Sequence, residues 1–331
     1  MLNHLALWGT FATLAFFSAN AASAEPRIIR LDPRFDQLLS RDAKVEKIAD
    51  GFTWVEGPVW NKREGYLLLS DIPNNSVYKW RRGKGVSVFM HPSGYTGSAP
   101  FEGREPGANG LTFDREGRLI LAEHGDRRLA RLEPDGSKTT LASHYEGKRL
   151  NSPNDVVFKS NGDLYFTDPP FGLPKAFDDP AKELPHQGVY RLKPDGEIAL
   201  LIDDLKAPNG IAFSPDENTL YVTDVAAGRW LAYPVDDDGT LGAGKVFADA
   251  NPFRKNGKGG ADGLKVDARG NLFATGPGGL YVFAPDATLL GRIDFGVPAG
   301  NVAWGEDGSV LYITANTGVY RIETRTRGAS F

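Results

Sequence analysis

NSPNDVVF, residues 151–158, sets a carboxamide and a carboxylate directly ahead of a β-branched apolar run. Proline starts turns, and Asn and Asp are ordinary turn residues, so a single copy would mark only the mouth of a strand. The pattern returns as GANGLTF at 107–113, APNGIAF at 207–213 and GADGLKV at 260–266. Looser copies are VEGPVW around Glu56 and AGNVAW around Asn301. The mouth residues Glu56, Asn109, Asn154, Asn209, Asp262 and Asn301 follow one another at intervals of 53, 45, 55, 53 and 39 residues. A second marker runs beside them: YLLLSD, RLILAE, DLYFTD, TLYVTD, NLFATG and VLYITA. These end at Asp71, Glu123, Asp168, Asp224, Gly276 and Ala315, at intervals of 52, 45, 56, 52 and 39. Two markers that stretch and shrink together describe one repeat with uneven loops.

Between the markers lies a Gly/Asn/Asp turn each time (NKREG, DREG, SNGD, SPDEN, DARGN, GEDG), the chemistry of an antiparallel hairpin. A third strand follows (SVYKW, RLARL, GVYRL, RWLAY, GLYVF, GVYRI), and often a fourth such as TTLAS or KVFAD. Four antiparallel strands per unit, six units and a period of about 40–50 residues predict an all-β six-bladed β-propeller. The last unit lacks its own fourth strand. AKVEKIAD at 43–50 is expected to supply it and so close the ring without an open edge.

Composition agrees with this class. Of 331 residues, 41% are hydrophobic and 24% charged, with 39 Gly and 22 Pro for many tight turns. A net charge of −4 gives no basic footprint for nucleic acid. The absence of cysteine excludes a disulfide framework and thiolate chemistry. Leu5 to Phe17 form an apolar run too short to span a bilayer, followed by the small-residue pattern Ala22-Ser23-Ala24. Residues 1–24 therefore read as a signal peptide cleaved before Glu25, with 25–331 as a single propeller domain in the periplasm or secreted. No membrane association is expected after cleavage.

Antiparallel parity gathers the polar residues on one face. The entry to each first strand and the exit of each second strand lie at the same end of the disc, and the first strands are innermost. The six mouth residues thus ring the central channel beside Asp71, Glu123, Asp168 and Asp224. The two longest irregular stretches, 91–108 and 169–187, fall on that face, as do His91, His124, His144 and His186. Oxygen donors converging on an axis suit a hard cation: Glu56 and Asp262 bring charge, Asn154 and Asn209 carbonyl oxygens. Calcium comes first, with magnesium, manganese or zinc as alternatives, although a dedicated zinc site would want His or Cys.

EGPVW, SPNDVVF, APNGIAFSPD and GGADGLKVD, in that order and blade placement, resemble the gluconolactonase/senescence-marker-protein (regucalcin-like) family of metal-dependent lactonases. The similarity runs from about Ala43 to Arg325. It implies metal ligands at Glu56, Asn209 and Asp262, with Asn154 ligating the metal or orienting substrate beside it. It also implies that Asp262 carries the proton. Animal members of the family place an arginine two residues before the asparagine equivalent to Asn154. This chain has Ser152 there, so that contact to sugar hydroxyls does not carry over.

The expected activity is hydrolysis of a sugar lactone, with glucono-1,5-lactone the default. A cation would polarise the carbonyl while Asp262 moves the proton of the attacking water. Asn154, His124, Asn109 and Asp168 are candidate substrate contacts, and His186 belongs to a long loop able to act as a lid. No G-x-S-x-G elbow points to serine chemistry. The partner is then a small lactone, and the chain a monomer or small homo-oligomer. The competing reading is a non-catalytic propeller that binds a partner or a sugar around a structural cation; hydrolysis of other lactones or organophosphates is a third.

Overall fold

The computed structural model describes residues 25–329, so the leader expected at 1–24 lies outside the described residues. Within them the chain forms six antiparallel sheets arranged as the blades of a β-propeller, joined by turns, loops, three short 3-10 segments and one small two-stranded sheet, His144–Tyr145 with Lys148–Arg149. The first strands are Val55–Asn61, Ala108–Phe113, Val156–Phe158, Pro208–Phe213, Leu264–Val266 and Ala299–Gly305. Each pairs with the next strand in sequence, and the blades run outward in chain order.

Burial follows from this layering. The second strands, such as Tyr66–Asp71, Leu119–Glu123 and Val310–Ala315, are buried along their whole length because neighbouring blades cover both faces. That is why YLLLSD and VLYITA read as near-continuous apolar runs rather than as alternating ones. Outer strands relax this rule, and Gly85–Met90 is largely exposed. Large apolar side chains fill the seams between blades: Phe273 stands edge-on to Trp304, while Phe295 packs against Tyr320.

The ring closes as the sequence predicts. Glu46–Asp50 pairs with Gly318–Glu323 as the outermost strand of blade six, with Glu46 opposite Arg321 and ion-paired to it at 2.7 Å. One addition was not foreseen. Arg27–Arg30 forms a fifth strand on blade five, antiparallel to Leu289–Asp294. Among the described residues no helix is long and apolar enough to cross a membrane.

Candidate metal and substrate centre

The mouth residues reach the channel because the backbone breaks its alternation there. The pairing register shifts between Glu56 and Val59, Ala108 and Leu111, Pro208 and Ile211, and Ala299 and Val302. In blades three and five the mouth residue precedes the regular ladder: Asn154 N–H donates to Thr167 O at 2.8 Å and Asp262 N–H to Thr275 O at 3.3 Å. An irregularity of this kind re-aims side chains at the end of a strand. Close approach then stitches the blades together. A β-carbon on Gly110 would lie 2.5 Å from Asn154 O, and one on Gly263 2.1 Å from Asn301 Cγ, so each site demands glycine.

Hydroxyl groups lock the same ring. Ser70 Oγ donates to Asn109 O, Thr167 Oγ1 to Asn209 O and Thr223 Oγ1 to Asp262 O, at 2.8, 2.8 and 2.6 Å. Thr275 Oγ1 reaches Gly300 O at 2.9 Å. In each pair the hydroxyl ends one blade's second strand and the carbonyl belongs to the next blade's mouth. The candidate site residues are therefore held through their backbones, leaving their side chains for the channel.

Carboxylates crowd the centre. Burial, with Asp155 and Glu105 nearby, pushes Glu56 up to about 8 against the lowering pull of the Gly57 N–H. Asp262 is also raised well above the usual carboxylate range, first by burial and then by Glu56, Asp155 and Glu105. Lys265 Nζ, 3.7 Å from Asp155 Oδ2, supplies a positive charge within the channel. Asn154 Oδ1 and Asp262 Oδ1 are enclosed, yet neither has a hydrogen-bond partner. Two orphaned oxygens and two carboxylates short of positive charge fit a hard cation with oxygen ligands. No group of three or more His, Cys, Asp or Glu among the described residues is placed to hold a metal, so this donor set needs its carboxamides.

Asp155, Glu105 and Lys265 were not among the candidates read from sequence, and Asn301 was read only as one of the six residues ringing the channel, without a ligand or substrate role. Asp155 had a signal: blades one, two, four and five carry glycine after the mouth residue, and blade three carries this carboxylate instead. Its oxygens face Val156 N at 2.9 Å, Ile211 N at 3.4 Å and Asn301 Nδ2 at 3.5 Å. Glu105 arrives from the 91–107 loop, with Oε2 at 2.9 Å from His124 Nδ1. His124 itself is fully buried, its Nε2 3.4 Å from Asn154 Nδ2.

Other candidates have local duties. Asp168 Oδ2 accepts from Asn151 N–H at 2.7 Å, and burial pushes its carboxyl up to about 7. Asp71 and Asp224 cap the backbone leading into their own first strands in the same way, at Trp54 and Ala207. Asn109 contributes its carbonyl to the blade-one contact, and its side chain is nearly buried. Ser152 Oγ bonds Pro169 O and Gly172 N, which ties down the DPPFG loop. His186 Nε2 meets Tyr190 Oη at 3.0 Å, whereas His91 and His144 lie at exposed strand ends.

Known proteins share this fold. Residues 54–317 match the model of the SMP-30/gluconolactonase/LRE-like region. A gluconolactonase from Zymomonas mobilis is 40% identical over 310 residues, covering 91% of this chain and 87% of its own. Among solved structures, a gluconolactonase from Xanthomonas campestris superposes with a TM-score of 0.78 at 33% identity, over 90% of this chain and 94% of that one. The calcium-binding protein regucalcin from Agrobacterium tumefaciens shares the fold at a TM-score of 0.67 and 20% identity, over 85% and 94%.

Proposed function

The chain belongs to the SMP-30/gluconolactonase/LRE-like family, and from that premise we propose that it hydrolyses sugar lactones at the channel mouth with the help of one divalent cation. Glucono-1,5-lactone is the first substrate to try, and calcium the first cation. The observation that carries the reading is the pair of enclosed, unpartnered oxygens, Asn154 Oδ1 and Asp262 Oδ1, beside the buried Glu56 carboxylate. Together with Asn209 these groups would hold the ion. When bound, it would supply Lewis-acid polarisation of the lactone carbonyl.

The chain's own residues do the rest. Asp262 takes a proton from the water whose oxygen adds to the carbonyl carbon. It returns that proton to the ring oxygen as the endocyclic C–O bond breaks, leaving the open-chain hydroxy acid. One carboxylate can serve both halves of this exchange in turn.

Asp262→Asn tests the assignment, because it keeps the size of the side chain and one oxygen while removing the proton carrier. Turnover of glucono-1,5-lactone is expected to fall about a thousandfold with the fold intact. Unchanged turnover would refute the role.

A further inference from the structure

Asn154 is a candidate ligand whose usefulness depends on which way its planar amide faces. Only Oδ1 can hold a cation; a flip would present Nδ2, two N–H donors, to the ion. The surroundings set that choice. Nδ2 lies 3.4 Å from His124 Nε2, and the opposite face of the amide, Oδ1, is enclosed without a partner. On the far side of the imidazole, Nδ1 lies 2.9 Å from Glu105 Oε2, at ion-pair distance though off the line of an N–H bond. A carboxylate that close favours the proton on Nδ1 and leaves the lone pair on Nε2. With that tautomer, a flipped amide would set two acceptors against each other.

The imidazole has little freedom to do anything else. His124 is fully buried, and a β-carbon on Gly172 would come 2.6 Å from His124 Cβ and 2.8 Å from Ser152 Cβ. The loop of residues 168–172, tied down through Ser152, thus packs against the base of the His124 side chain. Glu105 is partly exposed, so it remains adjustable from the loop above.

We propose that Glu105 and His124 form a positioning relay that fixes the amide of Asn154 with its oxygen toward the cation. This rests on the metal reading above and adds to it residues outside the ligand set. Partners of this kind orient a ligand without touching the ion, and their loss commonly costs about 10–100-fold in affinity.

The test is a double-mutant cycle read as calcium affinity, by calorimetric titration of the chelator-treated full-length protein. An aspartate at 154 carries oxygen on both sides and needs no orienting. His124→Leu is therefore expected to weaken calcium binding about tenfold in the Asn154 protein and to cost about threefold or less in the Asn154→Asp background. Glu105→Ala, on a partly exposed side chain, should show the same dependence with a smaller loss and guards against misfolding of the His124 variant. Saturating calcium should restore most of the lactonase activity of the Glu105 variant. Equal losses of affinity in the two backgrounds, or no loss in either, would overturn the relay while leaving the metal site standing. Absence of calcium binding by the parent protein would overturn both.

Discussion

Gly300 lies against the carboxylate of Glu56 so closely that a β-carbon on it would come within 2.2 Å of Glu56 Oε1. Blade six thus forms the wall that sets where blade one's acid points. The obstructed atom is the far end of a flexible side chain, so Gly300→Ala should swing the carboxylate away rather than unfold the protein. Calcium affinity is expected to fall about tenfold with the unfolding midpoint nearly unchanged. Calorimetry and a urea titration on the same preparation read both quantities.

Proton binding at Glu56 gives the metal-free protein an inverted pH dependence. Its carboxyl is pushed up to about 8, far above its unfolded value, so between those limits the folded state holds a proton that the unfolded chain has released. That contribution is fully present below the unfolded value and is lost as pH rises through the folded one. Chelator-treated protein should have a higher urea midpoint at about pH 5 than at about pH 8.5. Calcium should flatten the fall, because binding displaces the proton and tightens as pH rises. A midpoint that climbs over this range without metal would contradict it.

Lys265 balances Asp155 inside the channel. Lys265→Met removes that charge and leaves Asp155, Glu56 and Asp262 to repel one another. A loss of about 1–2 kcal/mol is expected, less than for a fully enclosed pair because the lysine is partly exposed. Adding Asp155→Asn should recover part of it. Urea unfolding of the single and double variants measures the difference.

Thr223 joins blades four and five through two carbonyls, Asp262 O at 2.6 Å and Gly210 O at 3.2 Å. Thr223→Val keeps the shape and leaves both carbonyls short of a donor, for an expected cost of about 1–2 kcal/mol. Thr223→Ser should restore most of it. Because Asp262 is held by this carbonyl, the valine variant should also lose turnover that the serine variant keeps.

The architecture was readable because six copies of a two-marker repeat leave few other closed arrangements, and because AKVEKIAD stood where a missing edge strand had to come from. Arg27–Arg30 escaped notice: a four-residue run, RIIR, with no hairpin partner nearby, pairs with residues some 260 positions away. The mouth residues were visible for the same reason as the blades, since they recur. What recurrence hides is exception. Asp155 departs from the glycine that follows the mouth residue in four other blades, and that departure brings a carboxylate into the channel. Glu105 belongs to no repeat, and only the folded loop carries it to His124. Asp168 had the opposite fate: its periodic position belongs to a backbone cap shared with Asp71 and Asp224, a duty that its sequence context does not separate from ligand contact.

The most direct measurement is the hydrolysis of glucono-1,5-lactone by chelator-treated protein as calcium is added back, corrected for the spontaneous rate and repeated with Glu56→Gln. The expected result is loss of catalysis on chelation, recovery on a saturable curve with one ion per chain, and a curve shifted to much higher calcium in the variant. Full hydrolysis by the metal-free protein, with the variant indistinguishable from its parent, would contradict a cation held by the rim oxygens.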